Sequence, residues 1–191
     1  HGPDLEALES LCTRRKVRAI YAMPTMHNPL GWVMSLTARR KLVATAHKHG
    51  LLIIEDAAYA ILVDAAPPPL AALAPDITVY VNALSKSIAT GLRVGFIAAP
   101  TPFIPLLERG IRATTWNTAA VMTTLGCQWL QDGTINRLEA EKRADAAARQ
   151  AVVSEVLGKL RVIRHPHSYY VWIPLPDELR ADQVASALLR K

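Results

Sequence analysis

The 191-residue sequence predicts an α/β fold built on a mostly parallel sheet. Three observations carry that expectation. Short β-rich apolar runs alternate with stretches of helical period between Val17 and Pro100. One of these runs, Leu51-Leu52-Ile53-Ile54, is apolar without a break, as in a strand covered on both faces. Beyond Pro100 the strand signals stop and the pattern turns helical as far as about Leu160.

Val17 to Met23 is β-rich and ends at Pro24, so it reads as a buried strand. Ser35 is a good N-cap for a helix from Leu36, with Leu42, Val43 and Ala46 on its inner face and Gly50 closing it. Thr78 to Val81 and Val94 to Ala99 are two more strands, the second stopped by Pro100. Helices are expected near 103–112, near 117–131 and from about Ile135 to Leu160. A strand-pair candidate follows, Val162-Ile163 with Tyr169 to Ile173, then a helix start near Asp182. Residues 1–133 thus read as part of a large domain. Residues 134–191 read as a long connecting helix and the start of a small α+β domain, too short to close its own core. Pro67-Pro68-Pro69 is a rigid loop.

Composition narrows the function classes. The chain is 51% hydrophobic and 20% charged, which excludes disorder and supports a packed core. The apolar stretch from Leu51 to Ala74 is broken by Glu55, Asp56, Asp64 and three prolines, so no membrane span is expected. Asp4, Glu6 and Glu9 sit where a secretory signal is basic, and cytoplasm is the expected location. With 22 Lys+Arg against 16 Asp+Glu, the net charge is +6, but only Arg14, Arg15, Lys16 and Arg18 cluster, and these read as a solvated helix end. Cys12 and Cys127 form neither a disulfide framework nor a zinc site, and Cys127 reads as a small buried hydrophobe. His47 and His49 point to different helix faces, and His165-Pro166-His167 reads as a loop, so no metal site is expected.

Four features fall at the ends of the expected strands, the edge where open α/β sheets bind ligands. His27-Asn28-Pro29-Leu30-Gly31 follows the first strand and has turn chemistry, with His27 either a loop residue or part of a pocket wall. Glu55-Asp56-Ala57-Ala58-Tyr59 follows the second, bringing Asp56 and Tyr59 out of a buried strand. Leu84-Ser85-Lys86 is a loop after the third, and Gly91-Leu92-Arg93 leads into the fourth, where an arginine can clamp a phosphate.

In this order the features resemble the large domain of fold type I pyridoxal-phosphate enzymes, the aspartate aminotransferase superfamily. The motifs carrying the resemblance run from about Val17 to Pro100, and it continues more loosely to Leu175. It implies a three-layer, mostly parallel sheet and pyridoxal 5'-phosphate as cofactor. It also implies that Asn28 and Tyr59 bond the phenolic oxygen, Asp56 pairs with the pyridine nitrogen, Lys86 is the Schiff-base lysine, and Arg93 binds the phosphate, with Ser85 as a further phosphate ligand. Physical chemistry agrees: the cofactor is an electron sink only with its ring nitrogen protonated, and a carboxylate there holds that proton.

His27 to Ser35, Pro67 to Leu73, Gly91 to Gly95 and Arg112 to Trp116 are similar to the aminotransferase-like domain of MocR-type regulators of the GntR family. There a winged helix-turn-helix precedes a cofactor-binding domain that senses a ligand. Three positions depart from the superfamily pattern. Ala83 replaces a phosphate-binding Ser or Thr, Ala57 a frequent second acid, and Thr90 a frequent proline. A complete domain of this type is roughly 350 residues, so the chain is expected to be about half of one. The aromatic residue that stacks on the ring, the Gly/Ser/Thr phosphate loop and the arginine that grips a substrate carboxylate are expected outside it. The resemblance implies an amino acid or amine ligand, a homodimer in the full-length protein, and DNA contact only through a separate amino-terminal domain. Two rival readings are a free-standing aminotransferase and, because of Ala83, a degenerate domain kept for dimerisation. Trp116, Trp129 and Trp172 read as core or domain-junction packing.

Overall fold

The computed structural model describes residues 2–190. Four strands, β1 (Ala19–Ala22), β2 (Leu52–Asp56), β3 (Thr78–Ala83) and β4 (Gly95–Ala98), form one sheet in the order β1-β2-β3-β4. β1 and β2 are parallel, as are β2 and β3, while β4 runs antiparallel to β3. The expected α/β, mostly parallel sheet is therefore the observed one.

Helix α1 (Leu5–Arg14) starts at Asp4, whose carboxylate accepts from the amides of Glu6 and Ala7. Its basic end, Arg14 to Arg18, is exposed apart from the half-buried Val17. Helix α2 (Leu36–His49) links β1 to β2. The Ser35 hydroxyl accepts from the Ala38 amide at its start, and Gly50 ends it in the left-handed conformation (φ 61°). Side chains alternate across β1 and β2, so Ile20, Ala22 and Ile53 share one face. That face packs with Leu42 and Ala46 of α2, Leu5 and Leu8 of α1, and Leu70 of α3 (Leu70–Leu73) to form the core.

After β4 come α5 (Ile104–Thr114), α6 (Ala120–Gln131), α7 (Thr134–Leu157) and, late in the chain, α8 (Ala181–Leu188). The expected strand pair contracts to one antiparallel bridge, Ile163 with Trp172. Three details differ from expectation. The expected loop at Leu84-Ser85-Lys86 is a one-turn helix, α4 (Leu84–Ser87), seated by the buried Leu84. Gly126 of α6 permits that seat, because a Cβ there lies 3.0 Å from the Leu84 methyl. This contact turns Gly126 inward and its neighbour Cys127 outward, so Cys127 is exposed. Trp116 and Trp172 are 72% and 44% exposed, whereas Trp129 is half-buried.

Gly31 sits at φ +66°, and a Cβ on it falls 2.9 Å from the backbone nitrogen of His165. Gly31→Ala is therefore expected to destabilise the chain by about 1–3 kcal/mol, since the clash is with backbone and the conformation is costly for an L side chain. Urea unfolding of the two proteins checks this, with Gly91→Ala, where a Cβ meets nothing within 4 Å, as the control.

Candidate functional site

The topology brings the site residues to one edge of the sheet. Asp56 is the last residue of β2, Lys86 lies in α4 directly after the parallel β3, and Asn28 lies in the turn after β1. Because β4 is antiparallel, its entrance, preceded by Arg93, opens on the same edge.

Asp56 is half-buried and held at both oxygens. The Ala58 amide donates to Oδ1 at 2.9 Å, and the Tyr21 hydroxyl donates to Oδ2 at 2.5 Å. Tyr21 pairs in register with Ile54, so Asp56 is its diagonal neighbour on the same face, within reach of a long side chain. The hydrogen bond to Asp56, then burial, pushes the Tyr21 phenol up to about 12. Tyr21 was not legible as a site residue; its only sequence signal is that its strand position shares the pleat phase of Asp56.

Tyr59 follows β2 and enters a 3₁₀ turn at Ala60–Leu62, which Arg143 of α7 fixes by donating to the Ile61 carbonyl at 2.8 Å. The Lys86 ammonium nitrogen stands 5.4 Å from the centre of the Tyr59 ring, close enough for a cation–π contact. Tyr170 meets the same ring edge-on, with centroids 5.5 Å apart. Its hydroxyl faces the carbonyls of His27 (3.0 Å) and Met26 (3.2 Å), and burial raises its pKa. Tyr170 thus ties the Tyr59 corner to the loop carrying Asn28, a second residue that sequence reading missed. Asn28 itself is exposed in that turn. His27 stacks on Trp32 at 4.3 Å, its buried Nδ1 has no hydrogen-bond partner, and burial lowers its pKa.

The sequence reading also missed two buried charged residues, Arg39 and Glu55. Arg39 is fully buried on α2 and donates to the carbonyls of Pro24 (2.9 Å), Met34 (3.1 Å) and Pro68 (3.1 Å) and to the Thr25 hydroxyl (2.7 Å). It therefore clamps the exit of β1, from which the Asn28 loop starts, to the proline loop. Glu55, on the face of β2 opposite to Asp56, accepts from the Ala71 amide at 2.9 Å at the start of α3. Burial pushes the Glu55 carboxyl up and the Arg39 guanidinium down, and in each the charge of the other acts in the opposite sense.

Arg93 ends the 3₁₀ turn Thr90–Leu92 in the left-handed conformation (φ 53°) and is exposed. With Thr115, Asn117 and Thr118 it lines a cavity of about 380 Å³. Ser85 is half-buried in α4. The structure thus brings Lys86 against Tyr59 and sets Asp56 on the same sheet edge, with Asn28 and Arg93 on neighbouring elements of that edge. A carboxylate with one donor on each oxygen keeps acceptor capacity for a third group, and a lysine and an arginine share its edge. That set suits a planar ring bearing a basic nitrogen, a carbonyl carbon and an anionic arm.

All of residues 1–191 match the family of class I and II aminotransferases. The chain belongs to that family. Among its curated relatives is a 2-aminoadipate transaminase of Thermus thermophilus, 31% identical over 95% of this chain and 48% of that protein. Another is YisV, an HTH-type transcriptional regulator of Bacillus subtilis, 29% identical over 90% of this chain and 37% of that protein. The chain spans half or less of the length of these relatives. Among solved aminotransferases, LysN of Thermus thermophilus, an alpha-aminoadipate aminotransferase complexed with N-(5'-phosphopyridoxyl)-L-leucine, matches with a TM-score of 0.88. It is 30% identical over 99% of this chain and 51% of its own. A kynurenine aminotransferase of Pyrococcus horikoshii matches with a TM-score of 0.91 at 21% identity, over 99% of this chain and 50% of its own, a likeness of fold. Among the described residues no helix is long and apolar enough to cross a membrane.

Proposed function

We propose that the chain is part of the pyridoxal-phosphate-binding domain of a MocR-type (GntR family) transcriptional regulator, where it senses an amino acid or amine. Pyridoxal phosphate is the cofactor that family membership and the LysN complex imply. The observation carrying this reading is the corner at which Lys86 faces Tyr59 on the same sheet edge as the doubly held Asp56. When bound, the cofactor supplies an electron sink for carbanion chemistry at an amine carbon.

The roles assigned to the chain follow from that placement. Asp56 holds the proton on the ring nitrogen. Tyr59 and Asn28 bond the phenolic oxygen and orient the ring, with Tyr170 fixing both supports. Lys86 is the covalent anchor. Arg93 and Ser85 bind the phosphate, with Ala83 contributing no hydroxyl. Residues 1–133 form part of the large domain and 134–191 the connecting helix with the start of the small one, in a protein that works as a homodimer and meets DNA through a separate domain.

YisV and further HTH-type relatives support the regulator reading. The 31% identity to a transaminase favours a second one, an aminotransferase acting on an amino acid, in which Lys86 Nζ also moves a proton at the amine carbon. The test uses the longer protein implied by either reading, loaded with pyridoxal phosphate and given amino acids with and without a 2-oxo acid. A regulator changes its visible absorbance with the amine but makes no new amino acid catalytically. Sustained transfer to the 2-oxo acid establishes the aminotransferase. Absence of any Lys86-dependent absorbance removes the cofactor assignment and leaves a domain kept for assembly.

A further inference from the structure

Resting on that reading, we propose that Tyr21 is a positioning residue for the cofactor ring: its hydroxyl fixes the Asp56 carboxylate in the orientation that meets the ring nitrogen. The contact joins residues 35 positions apart, from β1 to β2, with Tyr21 Oη at 2.5 Å from Asp56 Oδ2. Core packing does not place this side chain, because Tyr21 is 62% exposed, whereas Ile20 and Ala22 on the other face pack against the core. The hydroxyl is thus the group that ties its ring to the site.

The geometry divides the work between two donors of different kinds. The Ala58 amide is part of the backbone turn after β2 and anchors Oδ1. An anchor on one oxygen leaves the carboxylate free to swing about its Cβ–Cγ bond. Tyr21 removes that freedom at Oδ2, so the remaining acceptor lone pairs point in one direction. Its phenol, pushed up to about 12, stays protonated across the pH range in which such a protein works and so remains a donor throughout. The ring nitrogen then meets an acceptor already in place, and less ordering is left to binding. A phenylalanine at this position keeps the ring and loses only the hydroxyl, so the fold is not at stake.

The experiment is a double-mutant cycle on the longer protein, reading pyridoxal phosphate affinity and the pH midpoint of the visible absorbance of the bound cofactor. Tyr21→Phe is expected to weaken binding roughly 2- to 10-fold, the range of one hydrogen bond, and to displace the pH midpoint. In an Asp56→Asn background the same substitution is expected to change neither. Equal affinity and midpoint in Tyr21→Phe and the parent would overturn the proposal, as would an equal loss in both backgrounds, which would mean that Tyr21 acts apart from Asp56. If the parent shows no Lys86-dependent cofactor band, the functional reading itself fails and this proposal with it. If the band is present and only Tyr21→Phe is silent, the functional reading stands and Tyr21 alone drops out.

Discussion

Replacing Arg39 by leucine is expected to destabilise the chain by about 3–5 kcal/mol, because several polar groups at a buried position lose a charged donor together. The guanidinium serves four acceptors at once, three of them main-chain carbonyls. Leucine removes the donor from all four, of which the Pro24 carbonyl keeps the Met34 amide, and removes the positive charge that favours ionised Glu55. The pH dependence has a defined sign. Glu55 has a folded-state pKa above its ordinary 4.5, so it binds its proton more tightly when folded. Its ionisation therefore costs stability as pH rises from about 4.5, and the deficit of the variant narrows again on acidification. Urea unfolding at neutral and mildly acidic pH reads both effects. Arg40→Leu, the exposed neighbour on the same helix, is the control and is expected to stay within about 0.5 kcal/mol of the parent. Equal midpoints for Arg39→Leu and Arg40→Leu would show that the clamp carries no stability.

The 191 residues alone are expected to bind pyridoxal phosphate far more weakly than the longer protein, by about 2–4 kcal/mol, or roughly 30- to 1000-fold. Lys86 and Arg93 are exposed in this chain, and all four residues of β4 beside them are exposed as well. The chain spans half or less of the length of its relatives, so further contacts that bury the ring are expected in the longer protein. Phe96 at 44% and Ile97 at 39% exposure leave apolar area uncovered on both faces of β4. Spectroscopic titration of both proteins gives the comparison, and matching affinities would contradict it.

What the sequence disclosed was what neighbouring residues determine. Strands β1 to β4 follow from contiguous apolar runs and their prolines, and α2 from the Ser35 cap and the Gly50 stop. Asn28, Asp56, Lys86 and Arg93 could be named as candidates because each lies next to a strand end, which local pattern locates. The residues that were missed act across the fold instead. Tyr21 reaches Asp56 through strand register, Tyr170 reaches the His27 carbonyl over 143 positions, and Arg39 collects acceptors from three separate segments. Arg39 reads locally as one more charged helix residue, although it is buried. Cys127 failed for a related reason: its helix offers both a small residue and a cysteine to the interior, and the close seat of Leu84 selects Gly126.

The most direct measurement is borohydride reduction of the longer protein after incubation with pyridoxal phosphate, followed by proteolysis and mass mapping of the lysines. The phosphopyridoxyl mass is predicted on the peptide containing Lys86, near-stoichiometric, and lost in Lys86→Ala. Label confined to surface lysines such as Lys41 and Lys48, with Lys86 unmodified, would contradict the assignment of this sheet edge as the cofactor site.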